Sequence, residues 1–274
     1  MSARSITYNA LLLLLFSLRA DAQEKDFVIG KIETIHSSVL GEDRTVNIYL
    51  PQGYDTGKGG EYPVIYLLDG SADEDFIHIC GLVQFFNLQM GMPDVIVVGI
   101  ANIDRKHDFT FPSELPELKE KYPTTGHSAP FIDFLQKELK PFIEKKYSNN
   151  PQSILIGQSL GGLLASEIIL KRPGLFSRYI IISPSLWWDD ESLLKEAPQL
   201  VKGHTDAETK VSILVGKEGK VMEDDALQLA MILKRSSNKK LKVDFIPMPR
   251  EDHGTILHNA VYEVLKRDYF KDGR

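Results

Sequence analysis

An open α/β fold, with a mostly parallel central sheet of about eight strands and helices on both faces, is predicted by three features of the chain. Apolar runs recur without polar alternation, as in strands buried on both faces. Segments with apolar residues at helical spacing separate them. Two alternating strands precede the first of these runs, as an antiparallel lead-in.

The lead-in consists of FVIGKIETIHSSV (27–39) and DRTVNIYLP (43–51), joined by a turn at Gly41-Glu42. The buried strands follow as YPVIYLLDG (62–70), PDVIVVGIA (93–101), SILIGQ (153–158), RYIIISP (178–184), VSILVG (211–216) and LKVDFIPMP (241–249). Helices are expected over Phe76–Leu88, Pro130–Tyr147, Leu160–Leu170, Met222–Leu233 and Ile256–Phe270. This is the arrangement of an α/β-hydrolase, and sites in such sheets lie beyond the carboxyl ends of the strands. The ends LLDG, GQS, ISPS and VGKE and the loop after IPMP therefore converge on one crevice.

One stretch lacks alternation. Residues 103–128 are long, Pro-containing and mixed in charge, which predicts a lid or binding loop. With 274 residues, the chain is long enough for one sizeable core, and a single catalytic domain is expected over 23–274. Residues 1–22 read as a signal peptide: Arg4, then the apolar ALLLLLFSL (10–18), then ADA (20–22). The apolar stretch is shorter than the roughly 20 residues a spanning helix needs, so export to a periplasm or to the outside is expected, without stable membrane insertion after cleavage. Cys80 is the only cysteine, which excludes an intrachain disulfide, and its apolar neighbours mark it as a core residue. The net charge of −6, with scattered basic residues, argues against nucleic acid as a partner.

Gly157-Gln158-Ser159-Leu160-Gly161 matches G-x-S-x-G between an apolar strand and a helix. In that context the serine sits on a strained turn that lifts its hydroxyl out, and small neighbours let the backbones approach. A serine hydroxyl needs a base, and in this fold the order along the chain is serine, acid, histidine. Among seven histidines, His253 follows the last strand in PREDHG, ahead of the final helix, and is the candidate base. The acid should leave the seventh strand. Glu218 is nearest, with Glu223, Asp224 and Asp225 as rivals, although Asp224 and Asp225 also suit the first turn of a helix. The oxyanion donors are expected to be the backbone N–H groups of Leu160 and Ser71. The acidic Asp73-Glu74-Asp75 has no His or Cys neighbour and reads as a helix start, so neither metal nor cofactor is expected.

Taken together, IYLPQGY, YPVIYLLDG, GQSLGG, SPSLWWDD and the late DHG resemble the esterase D-like family of α/β-hydrolases. NIDRKHDFT and SPSLWW are similar to its siderophore trilactone esterase branch. The resemblance covers about residues 30 to 270 and implies Ser159 as nucleophile, His253 as base, and Leu160 with Ser71 as oxyanion donors. It departs at the acid, where relatives often carry glutamate at the position held here by Gly219, and some siderophore esterases work as a Ser–His dyad.

The expected function is a serine carboxylic-ester hydrolase working through an acyl-enzyme on a small-molecule or glycan-linked ester. An acyltransferase and a catalytically silent binding protein are the alternatives on the same scaffold. The substrate stays open between a siderophore-type lactone and a phenolic or acetyl ester. Cations and carboxylates nearly balance in 103–128, which gives no bias toward an anionic ligand. Arg105, Phe109, Trp187 and Trp188 are candidate substrate contacts, the aromatics either forming a wall or packing the lid down. The oligomeric state is left undetermined.

Overall fold

The structure, a computed structural model, describes residues 24–57, 62–147, 149–203 and 207–270. The proposed signal peptide lies outside the described residues, as does His204. The strands are β1 (Lys31–Ser37), β2 (Glu42–Tyr49), β3 (Val64–Leu67), β4 (Ile96–Ile100), β5 (Ser153–Gln158), β6 (Arg178–Ile182), β7 (Thr209–Val215) and β8 (Leu241–Pro247). They form one sheet in the order β1-β2-β4-β3-β5-β6-β7-β8. β2 is antiparallel to both β1 and β4, and the other pairings are parallel.

Because strand side chains alternate faces, each central strand feeds two cores. Ile65, Leu67, Ile154, Ile156, Ile180 and Ile182 pack on one side under α1 (Phe76–Met90) and α9 (Ile256–Tyr269). Val64, Tyr66, Leu155, Tyr179 and Ile181 pack on the other, under α6 (Leu160–Lys171), α7 (Trp188–Leu200) and α8 (Lys220–Lys234). Also on that side, α4 (Ser128–Phe134) and α5 (Lys140–Lys146) run on through a π turn at Leu135–Leu139. β8 differs from its expected burial on both faces. It has a neighbour only in β7, so its side chains alternate between partial and full exposure up to the buried Ile246.

Residues 103–128 are more ordered than a loop. They hold α2 (Arg105–Phe109), whose first N–H groups, from Lys106 and His107, are capped by the Asp104 carboxylate, and α3 (Pro116–Lys121), which opens on a proline. The segment is anchored from beneath by the buried Arg44–Asp108 pair at 2.8 Å. α7 was not expected from the sequence. Asp189, Asp190 and Glu191 have φ between 52° and 58°, so its regular part begins only after them, and Pro198 lies within it. Cys80 is buried, and burial pushes its thiol up to about 12, as suits an inert core residue.

Asp225, on α8, is 4% exposed, and its Oδ2 has no partner among the described residues. Burial, with Glu191 and Asp224 adding to it, pushes this carboxyl up to about 6 from 3.8. A carboxyl raised in the folded state costs stability as pH climbs through that window, and the cost is complete above it. Asp225→Asn is therefore expected to raise Tm by about 2–4 °C at pH 8 and to leave it unchanged near pH 4, in thermal melts at both pH values.

Candidate active site

The strand order reverses between β3 and β5, and ligand crevices in open α/β sheets form at such a reversal. Ser159 stands there, between the end of β5 and the first residue of α6. Its backbone is at φ 58° and ψ −118°, a region that residues with a side chain rarely adopt. The turn is held on both sides: the Ser159 N–H donates to Ile182 O at 3.0 Å, and the Ser185 N–H donates to Ser159 O at 3.0 Å. A Cβ on Gly157 would collide with the Gly161 carbonyl, so the first glycine of the motif is a steric requirement. Gly161 itself has more room. Gly162 is the tighter position, where a Cβ would lie 2.9 Å from both Ile182 O and Pro184 Cα.

Glu218 arrives from the β7–α8 connection and His253 from the β8–α9 connection. Glu218 follows β7, and its side chain is 4% exposed. Its Oε2 lies 2.5 Å from His253 Nδ1, while Oε1 accepts from the Gly216 N–H at 3.0 Å and from the Ser183 hydroxyl. Glu223 is occupied elsewhere: it accepts the N–H groups of Glu218 and Gly219 at 3.1 and 3.0 Å, capping the start of α8. Of the carboxylates weighed from the sequence, Glu218 is therefore the one that meets His253. The histidine loop is fixed by the Lys217 N–H donating to Glu251 O at 2.7 Å and by Asp252 Oδ1 accepting from Gly254 and Thr255 N–H. Gln158 completes the frame by donating from its side chain to His253 O at 2.5 Å.

The nucleophile candidate is half-buried, and its hydroxyl lies 3.3 Å from that of Ser185 rather than in hydrogen-bond contact with His253. Leu160 opens α6, so its N–H has no acceptor within the helix. Ser71 is on the β3–α1 connection, where its N–H donates to Glu74 Oε2 at 3.2 Å. An incoming oxygen would have to displace that carboxylate.

Two of the expected substrate contacts are core residues instead. Phe109 is 0% and Trp188 2% exposed, and the Trp188 indole N–H donates to Phe111 O at 2.9 Å. These large rings pack 103–128 onto the body of the protein, so they do not form a wall toward a ligand. Trp187, 38% exposed, does reach solvent. Arg105 points into the site, but its guanidinium grips Asp69 through two contacts at 2.6 and 2.9 Å and reaches Gln158 O at 3.2 Å. It braces the backbone next to Ser159. Sequence reasoning passed over Gln158, Asp69, Ser183 and Ser185. The signal for the serines was available: polar side chains flanking a proline at the carboxyl end of a buried strand.

Residues 37–254 match the family described as "Putative esterase". The ferri-bacillibactin esterase BesA of Bacillus subtilis is 28% identical over 268 residues, 90% of this chain and 92% of that protein. An IroE-like serine hydrolase from Shewanella oneidensis superposes with a TM-score of 0.78 at 30% identity, covering 88% of this chain and 80% of its own. The BES protein of Bacillus cereus follows with a TM-score of 0.77 at 28% identity, covering 90% of this chain and 97% of its own. The chain therefore belongs to this esterase family, and it is a serine ester hydrolase of the α/β-hydrolase fold.

Proposed function

We propose that the chain hydrolyses the ester or lactone bonds of a siderophore-type substrate through an acyl-enzyme on Ser159. His253 Nε2 takes the hydroxyl proton as Oγ attacks the carbonyl and returns it to the leaving alcohol; water then repeats the cycle on the acyl-enzyme. Glu218 fixes the imidazole through Nδ1 and stabilises the imidazolium. The Leu160 N–H, and the Ser71 N–H once Glu74 is displaced, receive the oxyanion. The observation that carries this reading is the placement of three chain-distant groups on one line of support. Ser159 is held at a positive φ, and the Glu218–His253 pair is tied to the residue before it through Gln158. Ser159 and His253 need only approach each other in the substrate complex, since catalytic hydrogen bonds in unliganded sites are commonly long.

The substrate class rests on the relatives, BesA being named for a ferri-siderophore. An ester panel tests it: p-nitrophenyl acyl esters, methyl ferulate, acetylated xylan and a catecholate trilactone. The trilactone is expected to lead methyl ferulate in kcat/KM by about tenfold or more, equivalent to about 1.4 kcal/mol of transition-state binding. A preference for ferulate or acetylated xylan would overturn the siderophore assignment. Product partitioning toward an added alcohol would favour the acyltransferase. We also propose that residues 1–22 direct export; among the described residues, no helix is long and apolar enough to cross a membrane.

A further inference from the structure

Ser183 follows β6 and is 0% exposed, yet its φ is 42°, in the left-handed region that glycine occupies without cost. A turn that needed only this backbone shape would be better served by glycine, so the side chain must repay the strain. Its hydroxyl goes to one place, Glu218 Oε1. The same oxygen receives the Gly216 N–H at 3.0 Å, while Oε2 stays 2.5 Å from His253 Nδ1. A carboxylate with both donors on one oxygen cannot rotate about its terminal bond without breaking both, so the other oxygen keeps its aim.

The serine is itself immobile. Its N–H donates to Leu214 O on β7 at 2.8 Å, and Pro184 follows. The turn sits against α6 at Gly162, where any Cβ would come within 2.9 Å of Pro184 Cα and Ile182 O. Two residues later, Ser185 Oγ lies 3.3 Å from Ser159 Oγ. The Ser183-Pro184-Ser185 turn thus touches the acid at one end and the nucleophile at the other.

We propose that Ser183 is a positioning residue that acts through Glu218, locking the carboxylate so that it orients His253; this rests on the serine-esterase reading above. A plain buried hydrogen bond would stabilise the fold without affecting the histidine, and the test separates the two. Ser183→Gly suits the backbone better than serine and removes the hydroxymethyl group, so the relief of backbone strain offsets the lost hydrogen bond and Tm is expected to hold. On p-nitrophenyl acetate, kcat is expected to fall by about tenfold to a hundredfold, the scale of a lost hydrogen bond to a charged group, with KM within about twofold. In a Glu218→Gln background the same change is expected to cost nothing further, because the group it acts through is already altered. The wild-type protein is expected to show a far-downfield proton resonance for the His253 Nδ1–H, and Ser183→Gly to broaden or lose it.

Equal losses in both backgrounds, or an unchanged kcat with the resonance intact, would overturn the proposal. Should Ser159→Ala retain full activity, the catalytic reading fails separately. The resonance would still report whether Ser183 holds the Glu218–His253 pair.

Discussion

Ser159→Ala is expected to lower kcat/KM for any ester substrate by about 10⁶-fold, with Tm nearly unchanged. The size follows from the chemistry. Without Oγ there is no acyl-enzyme, and only ground-state binding and the oxyanion donors continue to act. The small effect on stability follows from the structure. Ser159 is fixed by its backbone, through Ile182 O and the Ser185 N–H, while its hydroxyl makes one contact at 3.3 Å. Alanine at the same positive φ carries the same strain, so the folded state loses little. Steady-state kinetics beside a thermal melt would check both halves. Strong unfolding would mean that the hydroxyl supports the turn.

Glu218→Gln should be the second largest change, with kcat falling by about 10⁴. Glutamine keeps the size of the side chain but can present an N–H to His253 Nδ1. That favours the tautomer with its proton on Nε2, the nitrogen that must accept the serine proton. The loss should appear in kcat more than in KM, because Glu218, with its side chain only 4% exposed, lies behind the histidine and away from an entering ester. Glu223→Gln supplies the comparison. One oxygen of its carboxylate caps the Glu218 and Gly219 N–H groups, and the glutamine oxygen can still accept both, so this change should cost activity only mildly. Equal, mild losses in the two variants would point to a Ser–His dyad.

Much of the architecture was legible because parallel strands buried on both faces leave continuous apolar runs, as in SILIGQ and RYIIISP. The turn that carries Ser159, the proposed nucleophile, was legible for a steric reason: only glycine fits at position 157, so the backbone contact leaves its mark on the sequence. His253, the proposed base, was singled out by chain order. Other features depend on contacts between distant segments, which no local pattern encodes. Phe109 and Trp188 look like ligand-facing aromatics in a polar stretch, yet they bury themselves beneath it. Choosing Glu218 over Glu223, five residues away, needed the geometry of the β7–α8 connection, where one carboxylate turns to the histidine and the other to the helix start. Arg105 reads in the sequence as a candidate substrate contact, and only the fold brings Asp69 to it. α7 was hidden by the left-handed residues at its start and by Pro198 within it.

The central claim is that Ser159 carries the acyl group, and covalent labelling tests it most directly. The protein would be treated with a fluorophosphonate and digested, and the adduct located by mass spectrometry. A single adduct on Ser159 is predicted, absent from Ser159→Ala and slowed in His253→Ala. An adduct on another residue, such as Ser185, or full labelling of Ser159→Ala, would contradict the account.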